Sequence, residues 1–214
     1  MGALIDAYFS GGVFMHPIAV CSLVGIAIIA ERFMVINAAS NVKKDELLNH
    51  INSYVLQGNL EKAVAVTSQV RSPLTNIVRA GLVAVVNGKG AEDVQTAMDA
   101  VALREVPKIE KRIGLLSSVS NIATLLGLLG TVTGLIAAFA SVANAPPDQK
   151  AQMLADSIAV AMNTTAFGLI VAIPLLGAYG WLNSWAQSVV DDIHESSVAT
   201  LNFILSNKSK LTGT

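Results

Sequence analysis

From Ile113 to Ala143 the chain runs 31 residues, IGLLSSVSNIATLLGLLGTVTGLIAAFASVA, without one charged side chain. About 20 apolar residues in a helix cross the roughly 30 Å core of a bilayer, so this run spans one with helix to spare. It is not uniformly apolar. Ser117, Ser120, Thr124, Gly127, Thr131, Gly134, Ala138 and Ser141 recur at alternating steps of three and four. That spacing puts all eight on one helix face. Lipid has no use for such a face, whereas small residues let helix backbones approach closely. The face reads as a packing seam, or as the wall of a pore or a socket for another helix.

Composition agrees with a membrane setting. The 214 residues are 53% hydrophobic and 14% charged, with a mean hydropathy of +0.58. A soluble domain carries about 25% charged residues. The sequence is that of an integral membrane protein. A net charge of −1 argues against nucleic acid as a partner. The single cysteine, Cys21, excludes an internal disulfide and sits in an apolar run, where packing is the expected role. No Lys or Arg precedes Arg32, so no secretory leader is expected.

Taken in order, residues 1–13 form a short N-terminal segment for the membrane interface, with Tyr8 and Phe9 as its anchors and Gly11-Gly12 closing it. Residues 14–36 are the first transmembrane helix; His16 stands at its outer end, an interfacial position. Residues 37–112 are a small helical domain. Its helices are expected over Asp45–Leu56, Leu60–Val70, Pro73–Val86 and from Ala91 through Arg112, with a kink at Pro107. Residues 113–143 are the second span and 144–156 a turn, begun by Pro146-Pro147. Residues 157–190 are the third span, with Pro174 near its middle and Trp181 and Trp185 for an interface belt. Residues 191–214 are a polar C-terminal helix and tail, disordered after Lys208.

Eleven of the fourteen Lys and Arg residues lie between spans one and two. Lys208 and Lys210 follow span three, and Lys150 alone lies between spans two and three. The positive-inside rule puts 37–112 and the C-terminus in the cytoplasm and the N-terminus outside. The second and third helices would then extend into the cytoplasm.

Spans two and three hold no Asp, Glu, Lys, Arg or His. Ionisable groups inside a membrane are the default mark of an ion path, so their absence is informative. Hydroxyl and amide groups remain, among them Thr124, Thr131 and Thr133, then Asn163, Thr164 and Thr165. Threonine cannot relay a proton by titrating, but it can orient water or a carboxyl group. If the protein moves a cation, the titrating carboxylate comes from another chain. The alternative for each threonine is a hydrogen bond to a helix or to its own i−4 carbonyl. Phosphate-binding loops, metal-ligand clusters and nucleophile–base sets are missing. His50 and His194 read as solvated, and neither an enzyme nor a cofactor is expected.

Leu125-Leu-Gly-Leu-Leu-Gly-Thr-Val-Thr-Gly134 resembles the GLxGTVxG core of the MotA/TolQ/ExbB proton-channel family. Thr165-Ala-Phe-Gly-Leu-Ile-Val-Ala-Ile-Pro174 resembles that family's TAxGLxxAIP segment. The Glu31-Arg32 pair and Gly58-Asn-Leu-Glu-Lys-Ala63 also match its layout, and three spans point to the ExbB/TolQ branch. The likeness covers the chain to about Ser206.

The resemblance implies an all-α protein of a bacterial inner membrane, with three transmembrane helices and a small cytoplasmic helical domain. Five copies would form a ring whose second and third spans surround the single membrane helices of two ExbD/TolR-like partners. An aspartate of the partner would take up the ion, and ion flow would drive work on a periplasmic or outer-membrane system. Thr131 and Thr165 would be the lumen threonines, with Asn163, Thr164 and Thr124 nearby. Gly127, Gly130, Gly134 and Gly168 would pack helices, the first three helping to seal copies together. Where many relatives carry Glu five residues before the span-three threonine, this chain has Val160; Asp156 is the nearest acid, one turn further out. Asp156 then serves either as the mouth where an ion enters or as an anion favoured by a helix N-terminus. A passive membrane scaffold with no ion path of its own is the competing function. Counting from the ends of the uncharged runs, Thr131 and Thr165 need not share one depth, and both are expected in the outer half of the bilayer.

Overall fold

A computed structural model describes residues 12–41, 44–70, 72–143 and 145–207. Among them there is no strand. The helices are α1 (Met15–Ser40), α2 (Lys44–Leu56), α3 (Leu60–Gln69), α4 (Pro73–Val86), α5 (Ala91–Glu110), α6 (Ile113–Ala143) and α7 (Lys150–Ser206). Most of the expected N-terminal segment and the tail from Lys208 lie outside the described residues.

Three helices are long and apolar enough to cross a membrane. Their 18-residue windows average hydropathies of 2.1, 2.1 and 1.9, and no more than 33% of any window is buried within the chain. Leu23, Ile26, Leu125, Ile136 and Ile173 are exposed on them, a surface suited to lipid or to other subunits rather than to water. The protein is an all-α membrane protein.

The chain divides into two compact units. The first, Met1–Glu31 with Arg112–Leu182, holds the apolar part of α1, all of α6 and most of the uncharged part of α7. The second, Arg32–Lys111 with Asn183–Thr214, holds α2 to α5, the end of α1 and the rest of α7.

In the second unit α2 packs on α3, α3 on α4 and α4 on α5. Ile51, Val55, Ile77, Val78, Leu82 and Val94 are fully or almost fully buried there. Local signals set the helix ends. Ser72 and Thr75 form a reciprocal capping box around Pro73 (N···O 2.9 and 3.1 Å), the arrangement that satisfies free N–H groups at a helix start. Gly58 and Gly88 take φ of +72° and +71° just past α2 and α4, a conformation that costs glycine little.

Two junctions differ from the sequence expectation. The helix from Ala91 does not run into the second span. It stops at Glu110, with Lys111 extended at ψ 136°. Pro107 is accommodated inside it, and the break comes one turn later. The side chain that fixes the break is Arg32, 4% exposed, which donates from Nη1 to the carbonyls of Lys108 (3.1 Å) and Lys111 (2.8 Å). Those carbonyls have no partner within the helix, and a cation suits the negative end of its dipole. In the first unit Arg112 has a φ of +67°, uncommon for a side chain with a Cβ, and pairs with Glu31 at 2.6 Å.

The turn after α6 is also shorter than 144–156. Gln149 and Lys150 both donate to the carbonyl of Pro146 (3.0 and 3.2 Å), which starts a helical turn at once. α7 then runs 57 residues without interruption, through Pro174.

Candidate functional site

The site lies in the first unit, where α6 and α7 run antiparallel. Small residues set their register. A Cβ on Gly168 would stand 2.8 Å from the carbonyl oxygen of Ala123 and 3.1 Å from Cα of Gly127. One on Gly127 would stand 3.2 Å from Cα of Thr165. These neighbours are backbone and cannot swing away, so a side chain at Gly168 would force the helices apart, while Gly127 is a tight fit. A Cβ on Gly130 would meet the Thr164 side chain, and one on Gly134 would lie 2.8 Å from Cβ of Ala161. Ser120, 2% exposed, adds a polar tie across the seam, donating to the carbonyl of Ala172 at 2.7 Å. In α1, Gly25 makes room for Leu175 of α7.

The glycines expected to seal copies together thus pack inside one chain. The physical reason is symmetry of need: α7 carries its own small residues, Ala161 and Gly168, at the matching heights. The face splits accordingly. Ser120, Gly127 and Ala138 are buried, whereas Thr124 and Ser141 are exposed.

At the edge of this seam the structure brings Thr131 and Thr165 together. Their hydroxyl oxygens lie 3.0 Å apart. Thr165 donates across the seam to the Gly127 carbonyl at 2.7 Å, and Thr131 donates to the Leu128 carbonyl at 2.7 Å. The depth left open by the sequence is settled by this contact. Both side chains are half-buried.

The other expected residues sit differently. Thr124 and Thr133 bond the carbonyls of Ser120 (3.1 Å) and Leu129 (2.8 Å) on their own helix. Thr164, 2% exposed, donates to Val160 at 3.2 Å and packs on Gly130. Asn163 is half-buried and takes no part in the paired hydroxyls' contacts. Asp156 is the seventh residue of α7, not its start. The helix-terminus role therefore falls away, since the dipole acts within the first turn. Asp156 is exposed, accepts from Gln152 Nε2 at 2.9 Å, and lies nine residues, about 14 Å of helix, from Thr165 toward the start of α7.

Two contributors were not singled out in the sequence. Ser120 was seen only as a small residue, and Gly25 was not seen at all. Serine spaced with glycine on one face is a signal for the first; nothing local signals the second. Among the described residues no three His, Cys, Asp or Glu side chains cluster as a metal site.

A model of the MotA/TolQ/ExbB proton channel family matches residues 69–195, which include both threonines. A protein of Methanothermobacter thermautotrophicus described as a biopolymer transport ExbB homolog is 27% identical over 193 residues, 90% of this chain and 67% of that protein. The biopolymer transport protein exbB1 of Vibrio cholerae is 27% identical over 194 residues, 90% of this chain and 83% of its own length. The Tol-Pal system protein TolQ of Haemophilus influenzae is 35% identical over 96 residues, 45% of this chain and 42% of its own.

Proposed function

This chain belongs to the MotA/TolQ/ExbB proton channel family, and from that premise we propose that it is the ring-forming subunit of an ion-driven membrane motor. Several copies, five by family likeness, enclose the membrane helices of an ExbD/TolR-like partner, itself a dimer. Ion flow moves the partner against the ring, and the motion does work on a periplasmic or outer-membrane system.

The observation that carries this reading is the Thr131–Thr165 pair in an uncharged seam. Three short oxygen contacts involve these hydroxyls, at 2.7, 2.7 and 3.0 Å. The two hydroxyls supply only two protons. When both go to the carbonyls of Leu128 and Gly127, the oxygens face each other with lone pairs and no donor. Such a pair accepts a hydrogen bond from a neutral carboxylic acid or from water, and does not titrate itself. It complements a partner carboxyl that gains and loses a proton. Asp156, exposed and outward of Thr165, supports a role in drawing a cation toward the pair.

A passive scaffold has support too. Thr124, Thr133 and Thr164 spend their hydroxyls on their own helix. Thr131 and Thr165 depart from that pattern because they also meet each other. The test is purification of the tagged full-length protein from its native membrane, with mass spectrometry of what accompanies it. The expected companion has one span, an aspartate near the start of that span and a domain beyond the membrane. Repeated recovery of the chain with no such companion overturns the motor reading.

A further inference from the structure

In the second unit an apolar trough of about 500 Å³ lies between α5 and the end of α7. Leu103, Val106, Val198 and Leu201 line it, with Ile77 among them. Leu103 is 78% exposed and Val198 58% exposed. One acid, Asp99, lines it beside His194, and the further acids of the two helices stand outside the lining. Residues 91–103 hold Glu92, Asp93 and Asp99, residues 191–207 hold Asp191, Asp192 and Glu195, and neither stretch has a Lys or Arg. Lys44 takes up Asp192 at 2.6 Å. Asp99 lines the trough, and Asp191 stands two turns before Val198 on the same face of α7.

A second depression, of about 370 Å³, lies between α4 and the far side of α5. It is lined by Arg79, Arg104, Val83 and Val101. Its one acid, Glu105, is held by Lys108 at 2.9 Å and Asn76 at 3.3 Å. Among the described residues Arg79 and Arg104 enter no ion pair. Arg104 follows Asp99 by five residues, roughly 140° around the helix.

One helix thus shows an apolar acidic side and, nearly opposite, an apolar basic side. The surface that complements the first, in charge and in exposed apolar groups, is the second. We propose that the trough of one copy receives the Arg79–Arg104 face of the next copy. Different patches meeting head to tail make a heterologous contact, which either closes into a ring or grows without limit. Membrane insertion holds every copy upright, so the closing rotation is about the membrane normal. The proposal rests on the reading above that copies of the chain assemble, and it adds where they touch outside the membrane.

The test uses the full-length protein in mild detergent and native mass spectrometry. Asp99→Lys with Asp191→Lys, and separately Arg79→Glu with Arg104→Glu, place like charges at the contact. All four side chains are exposed, so the fold is retained. Each pair should lower the fraction in the full oligomer at least fivefold at 0.1 M salt. The four changes combined in one chain restore opposite charges and should recover the wild-type distribution. An oligomer unmoved by either pair overturns the contact and leaves the ring standing. Loss without recovery in the fourfold variant overturns the contact as well. A monomeric wild-type protein removes the contact and the ring together.

Discussion

Thr165 joins two helices and belongs to one half-buried hydroxyl pair, so its two contributions separate by substitution. Valine keeps the shape and deletes the hydroxyl. Packing then loses only the bond to Gly127, about 0.6–2 kcal/mol for an interhelical hydrogen bond in a membrane. A role in meeting a partner's carboxyl loses its acceptor. Thr131→Val and Thr165→Val should each leave expression and partner binding intact and reduce ion-coupled activity at least tenfold, while serine at either position retains most of it. Full activity in the double valine variant would leave the pair a packing contact. Outside the membrane the Lys44–Asp192 pair has a clear sign. The hydrogen bond to Asp192 raises the lysine above its ordinary value of 10.5. A raised folded-state value means stabilisation that is complete below 10.5 and lost as pH climbs through the raised value. Thermal melts should therefore show Lys44→Met below wild type at pH 8, with the two curves converging once the pH has climbed past the raised value.

Helix pairs, not single side chains, decide whether the site exists. Gly168→Ala puts a methyl 2.8 Å from the Ala123 carbonyl, and forcing the backbones apart costs about 1–3 kcal/mol. That shift should separate Thr131 from Thr165, so activity should fall further than the melting temperature suggests; wild-type activity would refute the register. At the end of α5, Arg32→Met strips two carbonyls of a charged donor. Each such bond contributes roughly 1.5–3 kcal/mol, so Arg32→Met should melt well below wild type. Arg32→Lys should fall between the two, since a point charge reaches both carbonyls less well; equal melting of Met and wild type would dismiss the clamp. These elements also mark what the sequence could disclose. The three spans were legible because each holds a long run without Asp, Glu, Lys or Arg, and Gly58 and Pro73 marked helix ends locally. The stop at Glu110 was not legible, because its cause is a guanidinium 76 and 79 residues away in the chain. Pro107 drew attention to the wrong turn. The start of α7 at Lys150 was hidden as well, since Pro146-Pro147 and Asp148-Gln149-Lys150 look like loop although the Pro146 carbonyl starts the helix. The face of α6 was visible, but its choice of partner was not: small residues invite a neighbour without saying whether it belongs to the same chain.

For the molecule as a whole, the distribution of charge constrains how it sits in a bilayer. Arg32, Lys62, Arg79, Lys89, Arg104 and Lys108 belong to the second unit, and Lys150 to the first, between α6 and α7. Retaining one lysine outside costs little, whereas translocating eleven basic residues would oppose the potential and the insertion machinery alike. Lys89, in the turn between α4 and α5, should therefore face the cytoplasm, and Lys150 the opposite side. Cys21 is half-buried, so a Cys21→Ala background removes the native thiol without opening a large cavity. In that background, Lys150→Cys should react with a membrane-impermeant maleimide applied to cells whose outer barrier, if any, is opened. Lys89→Cys should react only after the membrane itself is breached. The orientation carries the mechanism with it: Asp156 then lies on the outer side of the Thr131–Thr165 pair, toward the compartment from which a driving ion arrives. Labelling of Lys89→Cys in sealed cells would invert the protein. It would turn Asp156 from a point of approach into a point of release.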